Sequence, residues 1–220
     1  SIVIAIALAT GFSTLSEYRN TSRSEALQEE YSKTYAKVFR NGKLVKVLTS
    51  DIVKGDTILI ATGASENMVT FPGWTLPGVI GAGAAQTMMN LHGTLPGKRV
   101  LMLGSGNVGR VVSFQLMQAG CEVVAVADAA PRVGGYGVHA AKVARCGVPF
   151  YLSHTIISAD GEDCVTGVTI GEVDKNWQII PGTEKHFDVD TICLAVGLSP
   201  MSKLCDMAGC AMEDNPAKAG

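Results

Sequence analysis

The 220-residue sequence has no run of about 20 apolar residues, the length a transmembrane helix needs. The opening "SIVIAIALATGF" stops after about ten, and it lacks the basic leader and cleavage site of a signal peptide. No membrane partner is expected. The chain starts at Ser1 without Met, so its N-terminus is expected to be cut from something longer. An excess of charge of either sign is also missing. Eighteen Lys and Arg stand against twenty Asp and Glu, a net charge of -2, which gives no electrostatic reason to expect nucleic acid as a partner. Six cysteines occur without a Cys-x-x-Cys pair, so neither a zinc knuckle nor a thioredoxin-type dithiol is written here. Reduced thiols in a cytoplasmic protein are the expectation. Cys205 and Cys210 form a redox pair only if the backbone brings their Cα atoms within about 7 Å. The four histidines lack His-x-x-x-His or carboxylate spacing, and no Gly-x-Ser-x-Gly elbow is present. No metal site and no serine-nucleophile chemistry are therefore expected.

What is present suits a soluble α/β protein with a real core: 47% hydrophobic residues and 17% charged. Residues 13–34, "STLSEYRNTSRSEALQEEYSKT", lack Pro and Gly and read as an exposed helix with a thin apolar stripe. "TYAKVFR" and "KLVKVLT" flank Asn41-Gly42, a favoured hairpin dipeptide, and "TILIA" follows as a third short strand. Two Pro-Gly turns make a loop from Phe71, and "AGAAQTMMNLH" makes a short helix ended by Gly93.

The informative core comes next. "RVLML" reads as a buried strand and "GSGNVG" as a turn. "NVGRVVSFQLMQAG" reads as a helix with Val108, Val112 and Leu116 on one face, and "EVVAVAD" as a second buried strand. Strand, Gly-rich turn, helix and parallel strand in about 30 residues form the first half of a doubly wound nucleotide-binding fold. "VGGYGVHAAKVARCG" reads as a further helix and "VPFYLSHTI" as a third parallel strand. Residues 164–190 read as an antiparallel meander, and "TICLAVG" as a returning buried strand. The expected architecture is a Rossmann-like parallel sheet with an antiparallel β-meander, preceded by a helix and a hairpin. Its expected divisions are 1–57, 58–97, 98–200 and 201–220.

Gly104-x-Gly106-x-x-Gly109 sits directly after a strand and opens a helix, where dinucleotide binding needs it. The first glycine permits the tight turn, the second lets backbone approach a pyrophosphate, and the third allows close helix-to-strand packing. Free amides around Asn107 and Val108, with the positive end of the helix dipole, suit phosphates. Asp128 ends the second strand 19 residues beyond Gly109, where a carboxylate can accept the ribose hydroxyls of NADH. Arg132 leaves two readings open: an NADPH 2′-phosphate ligand, or a solvated loop residue.

Residues 58 to about 214 resemble the central part of FAD-dependent pyridine nucleotide oxidoreductases of the glutathione-reductase-like superfamily. The matching pieces are "ILIATGA", "FPGWTLPGV", "GKRVLMLGSGNVG", "VVAVADAAPRVGG" and "TICLAVGLSP". The stretch from "PFYLSHTI" to "TICLAVG" is similar to the subgroup without a redox disulfide, found beside glycerol-3-phosphate and opine or amine oxidising dehydrogenases. The resemblance implies NAD(P)H docking on this domain and hydride transfer to N5 of FAD. It places Gly104, Gly106, Asn107, Val108 and Gly109 on the pyrophosphate, Asp128 on the adenosine ribose, and Gly197 on the nicotinamide side. It matches Ala61, Thr62 and Gly63 to the Ala-Thr-Gly signature at the domain crossing, and it implies a flavin-bearing or dehydrogenase partner subunit. No Gly-x-Gly-x-x-Gly occurs near the N-terminus, and no Gly-Asp follows residue 56. The chain is therefore expected to bind NADH, NADPH less well, and not to hold FAD by itself.

Residues 1–60 resemble the end of the second membrane helix, the stalk and the start of the actuator domain in P-type cation ATPases. "AKVFRNGKLVKV" and "DIVKGDTILI" carry that likeness. The Thr-Gly-Glu and Asp-Lys-Thr-Gly motifs of pumping are absent, so no pump activity is expected. Three readings follow: the NAD(P)H domain of a flavin-dependent oxidoreductase, a non-catalytic nucleotide-binding module, and a transporter fragment.

Overall fold

A computed structural model describes residues 35–58 and 60–212, which belong to two compact units, Ser1–Ala61 and Thr62–Gly220. The helix expected over 13–34 and the apolar opening lie outside the described residues. No described helix is long and apolar enough to cross a membrane.

In the first unit, β1 (Tyr35–Arg40), β2 (Lys43–Leu48) and β3 (Thr57–Ile58) form an antiparallel sheet in the order β2-β1-β3. Asn41 and Gly42 turn the hairpin with φ of 51° and 73°. Two successive positive φ values match the twist of the flanking strands, which is why Asn-Gly is favoured there. Within "TILIA", Thr57 and Ile58 form strand, while Ile60 and Ala61 do not. The return to β3 is pinned by a fork: Arg40 Nε and Nη2 donate to Asp56 Oδ1 and Oδ2 at 2.7 and 2.6 Å. Arg40 Nη2 also donates to the Asp51 carbonyl at 2.7 Å.

The second unit is built on a five-stranded parallel sheet, ordered β5-β12-β6-β7-β8. Its strands are β5 (Val79–Gly81), β6 (Arg99–Leu103), β7 (Glu122–Asp128), β8 (Phe150–Leu152) and β12 (Thr191–Leu194). Helices α1 (Ala82–His92), α2 (Asn107–Ala119) and α3 (Gly137–Arg145) follow β5, β6 and β7. Strands β9 (His154–Asp160), β10 (Gly167–Glu172) and β11 (Lys185–Phe187) form the antiparallel meander. A two-stranded ribbon pairs β4 (Ala64–Glu66) with β13 (Leu198–Pro200), and α4 (Lys203–Met207) follows. The expected fold class holds: a Rossmann-like parallel sheet with an antiparallel meander.

Strand alternation explains the two cores. Leu101, Leu103, Ile192 and Leu194 face the meander, where Ile156, Val168 and Ile170 close the layer. Val100, Met102 and Cys193 point the other way, against Ala85, Val112, Leu116 and Val143 of the helices. Each strand therefore reads as continuously apolar because both of its faces are covered. The β6–β7 register shifts between Val100 and Leu101. That irregularity lets Val124 and Ala125 both face the meander side, as an extra residue in one strand requires.

The third strand departs from expectation. "VPFYLSHTI" is not one parallel strand: it breaks at Ser153, whose φ is 55°, and the chain turns into β9 of the meander. Ser153 N–H donates to the Ala130 carbonyl, and its carbonyl accepts from Val173 N–H, so this corner is fixed from both sides. The meander thus begins at His154, earlier than its turn residues indicated.

Candidate functional site

The sheet order places a switch point between β6 and β12. The chain runs from β6 through α2 to β7 on one side, while β12 lies on the other. In open α/β sheets ligands bind beyond the carboxyl ends of strands at such a point. A cavity of about 970 Å³ lies there. One wall is Gly104, Gly106, Asn107 and Val108; Asp128 to Ala130 close one end; Ala195 to Leu198 and Glu66 line the rest. The meander supplies Thr155, Ile156, Val173, Trp177 and Ile179.

The three glycines have different physical reasons. A Cβ on Gly104, whose φ is 110°, would stand 2.3 Å from the Ala195 carbonyl oxygen, and one on Gly109 would stand 2.0 Å from that of Gly104. The fold itself forbids side chains at both positions. Gly106 has an ordinary extended backbone, φ -64° and ψ -178°, and a Cβ there would meet nothing within 4 Å. Nothing among the described residues requires glycine at 106. Its bare face opens onto the cavity at the N-terminus of α2, where unpaired amides and the helix dipole favour an anion. Ser105 adds a buried hydroxyl without a hydrogen-bond partner among the described residues.

Asp128 ties the turn to the second strand. Its Oδ2 accepts the Ser105 N–H at 2.6 Å and its Oδ1 accepts the Ala130 N–H at 2.8 Å. Its carboxylate still lines the cavity, and each oxygen keeps a second lone pair for a ligand hydroxyl. Among the lining residues there is no Lys, Arg or His, and Arg132 is not one of them.

Two site residues differ from the sequence reading. Val108, expected on the apolar face with Val112 and Leu116, is 43% exposed and lines the cavity, while the other two are buried. Asn107 and Val108, the first residues of α2, line the crevice instead of the helix–sheet core. Arg110, which no motif singled out, is 1% exposed. Its Nε donates to the Gly106 carbonyl at 3.1 Å, and Nη1 to the Tyr136 carbonyl at 3.0 Å. Its Nη2 donates to the Gly134 carbonyl and, at 3.1 Å, to Asn107 Oδ1. Asn107 Oδ1 also accepts the Tyr136 N–H at 2.9 Å. Burial lowers the Arg110 pKa from its ordinary value. The guanidinium locks the loop before α3 against the glycine turn. A charged residue directly after the last glycine of the motif carries no pattern signal for that role.

Gly197, φ 114°, lies on the cavity wall, and its carbonyl accepts the Asn67 N–H at 3.0 Å. Thr62 and Gly63 are outside the lining: Thr62 Oγ1 donates to the Met201 carbonyl at 2.6 Å, and the Gly63 carbonyl accepts the Met201 N–H at 2.9 Å. They anchor the β4–β13 ribbon. Ala61 ends the first unit. Cys205 and Cys210 are free thiols, and no group of three or more His, Cys, Asp or Glu able to hold a metal occurs among the described residues.

A hydrogen cyanide synthase subunit, HcnB, of Pseudomonas aeruginosa is 27% identical over 168 residues, 69% of this chain and 36% of that protein. An opine oxidase subunit of Agrobacterium tumefaciens is 27% identical over 187 residues, 74% of this chain and 34% of its own length. The chain thus spans about a third of the length of these curated relatives. Among solved structures, T. acidophilum thioredoxin reductase superposes with a TM-score of 0.55 at 16% identity, covering 82% of this chain and 57% of that one. The profile of one family matches residues 7–218, running through the segment likened above to an ATPase as well as through the glycine turn. With that match across nearly the whole sequence, the chain belongs to the pyridine nucleotide-disulphide oxidoreductase family.

Proposed function

We propose that this chain is the nicotinamide-nucleotide-binding part of a flavin-linked oxidoreductase, with NADH preferred to NADPH. The observation that carries the reading is the contrast within the glycine turn. The fold requires Gly104 and Gly109, whereas a Cβ at Gly106 would meet nothing within 4 Å, and a pyrophosphate approaching the N-cap of α2 would give that position a reason to stay bare. The pyrophosphate would rest on the amides at the start of α2, and Asp128 would accept the adenosine ribose hydroxyls. A cavity wall without cations favours a free 2′-hydroxyl over a 2′-phosphate there. Bound nicotinamide supplies a hydride, and the protein's part is to place and shield it. Gly197 and the apolar meander residues Ile156, Val173 and Ile179 would exclude water from that half.

The hydride acceptor in this proposal is a flavin held by other segments or by a partner subunit. Relatives named as subunits, HcnB and that of the opine oxidase, support the partner reading. The ribbon anchored at Thr62 and Gly63 would then connect the nucleotide-binding unit to the flavin-bearing part. The test is an NADH titration of the purified chain by fluorescence. Saturable binding that Asp128→Ala weakens by about tenfold or more supports the reading, as expected for lost charge-assisted hydrogen bonds. A folded sample that does not bind NADH overturns it.

A further inference from the structure

The cavity has a carboxylate at each side and no basic side chain, and the second carboxylate, Glu66, has no part in the reading above. Its position follows from the sheet. Beyond the carboxyl ends of the strands the order is Asp128 on β7, the glycine turn on β6, Ala195 to Gly197 on β12, and Gly81 ending β5. Glu66 sits over that last position. Its Oε1 accepts the Gly83 N–H at 2.6 Å in the first turn of α1. A Cβ on Gly81 would stand 2.3 Å from Glu66 Oε2, and one on Gly83 would stand 3.0 Å from it. The two glycines therefore make the room in which this carboxylate lies. Its backbone is fixed by pairing of Glu66 with Leu198, next to Gly197. Three strand spacings, about 14 Å, separate the Asp128 strand from the strand beneath Glu66.

A dinucleotide whose adenosine ribose is at Asp128 and whose pyrophosphate is at the glycine turn extends toward Gly197 and Glu66. The charge of the far group then matters. The nicotinamide ring is a cation when oxidised and neutral when reduced. We infer that Glu66 is a positioning residue that makes this pocket favour the oxidised, cationic nicotinamide over the reduced one. Because binding and redox equilibria are linked, a pocket with that preference makes bound NADH a stronger hydride donor than free NADH. The inference rests on the nucleotide reading of the same cavity.

The test compares NAD⁺ and NADH affinities of the whole chain by calorimetric titration, in the wild type and in Glu66→Gln. Removing one negative charge near the ring is expected to raise the ratio Kd(NAD⁺)/Kd(NADH) by about fivefold or more, the scale of a unit-charge interaction at about 4 Å even in a watery environment. Glu66→Asp keeps the charge and should leave the ratio within about twofold of wild type. An unchanged ratio in Glu66→Gln overturns the inference while leaving NADH binding intact. Should Glu66→Gln fail to fold, the wild type decides alone: NAD⁺ binding more tightly than NADH is expected. NADH binding as tightly as NAD⁺, or more tightly, contradicts it. Failure of both nucleotides to bind the folded wild type removes the parent reading and this one together.

Discussion

Asp128 Oδ2 accepts the backbone N–H of Ser105 at 2.6 Å, so the acid that ends the second strand holds the glycine turn that ends the first. The same carboxylate also accepts the Ala130 N–H. Asp128→Ala should therefore act twice. It should weaken NADH binding and destabilise the unit by about 3 kcal/mol or more, since two hydrogen bonds to a charged group are lost and each contributes about 1.5–3 kcal/mol. Urea unfolding followed beside the nucleotide titration separates the two effects. Loss of neither would leave Asp128 without the role assigned to it.

Arg110 serves the loop before α3, with donors to three backbone carbonyls and to Asn107. Arg110→Met should destabilise the unit by about 2–4 kcal/mol, because the hydrogen bonds of a buried charged group to Gly106, Gly134, Tyr136 and Asn107 are lost. Arg110→Lys should recover only part of that, having one point charge in place of a planar fork. Limited proteolysis within residues 129–136 should quicken in both variants. Wild-type proteolysis rates in Arg110→Met would contradict this view of the side chain.

The cysteines should separate into classes. Cys146, Cys164 and Cys210 are exposed and should react promptly with a thiol reagent in the native state. Cys121 and Cys193 are buried. Burial, with the Glu66 charge adding to it, pushes the Cys193 thiol up to about 12. Its thiolate should be absent between pH 7 and 10, and mass spectrometry of labelled peptides should find Cys193 modified only after unfolding. Labelling of native Cys193 at pH 8 would refute the placement.

Acid should act on the first unit through Asp56. The Arg40 fork, and then the Val53 amide, hold its carboxyl at about 2, below its ordinary 3.8. A lowered folded-state value means that the pair's contribution is fully present above about pH 4 and is lost as pH falls through about 2. Carboxyl NMR of Asp56 should show a midpoint near 2, moving back toward 3.8 in Arg40→Met. A wild-type midpoint near 3.8 would contradict the fork.

Much of this was legible in the sequence because local rules and tertiary need coincide. "RVLML" and "TICLAVG" read as buried strands, and the structure covers both of their faces. Asn41-Gly42 carries the backbone preference that its turn uses. Gly104, Gly106, Gly109 and Asp128 converge because one strand–turn–helix–strand unit brings them together within a short stretch. What was not legible depends on long-range geometry. Val108 obeys the helical period, yet it lines the cavity instead of the core. Ser153 adopts a left-handed conformation that no glycine announces. Arg110 and Glu66 owe their positions to loops and to a ribbon pairing with residues far along the chain, which no local spacing records.

Gly106 carries the central claim, and one substitution tests it. Gly106→Ala is measured by thermal unfolding and by NADH titration, with Gly109→Ala as the contrasting variant. With open space around a Cβ at 106, Gly106→Ala should cost less than about 1 kcal/mol of stability yet weaken NADH binding by about tenfold or more. Gly109→Ala should destabilise the fold itself, because its Cβ would meet the Gly104 carbonyl. A stably folded Gly106→Ala protein that binds NADH as tightly as the wild type would contradict the claim.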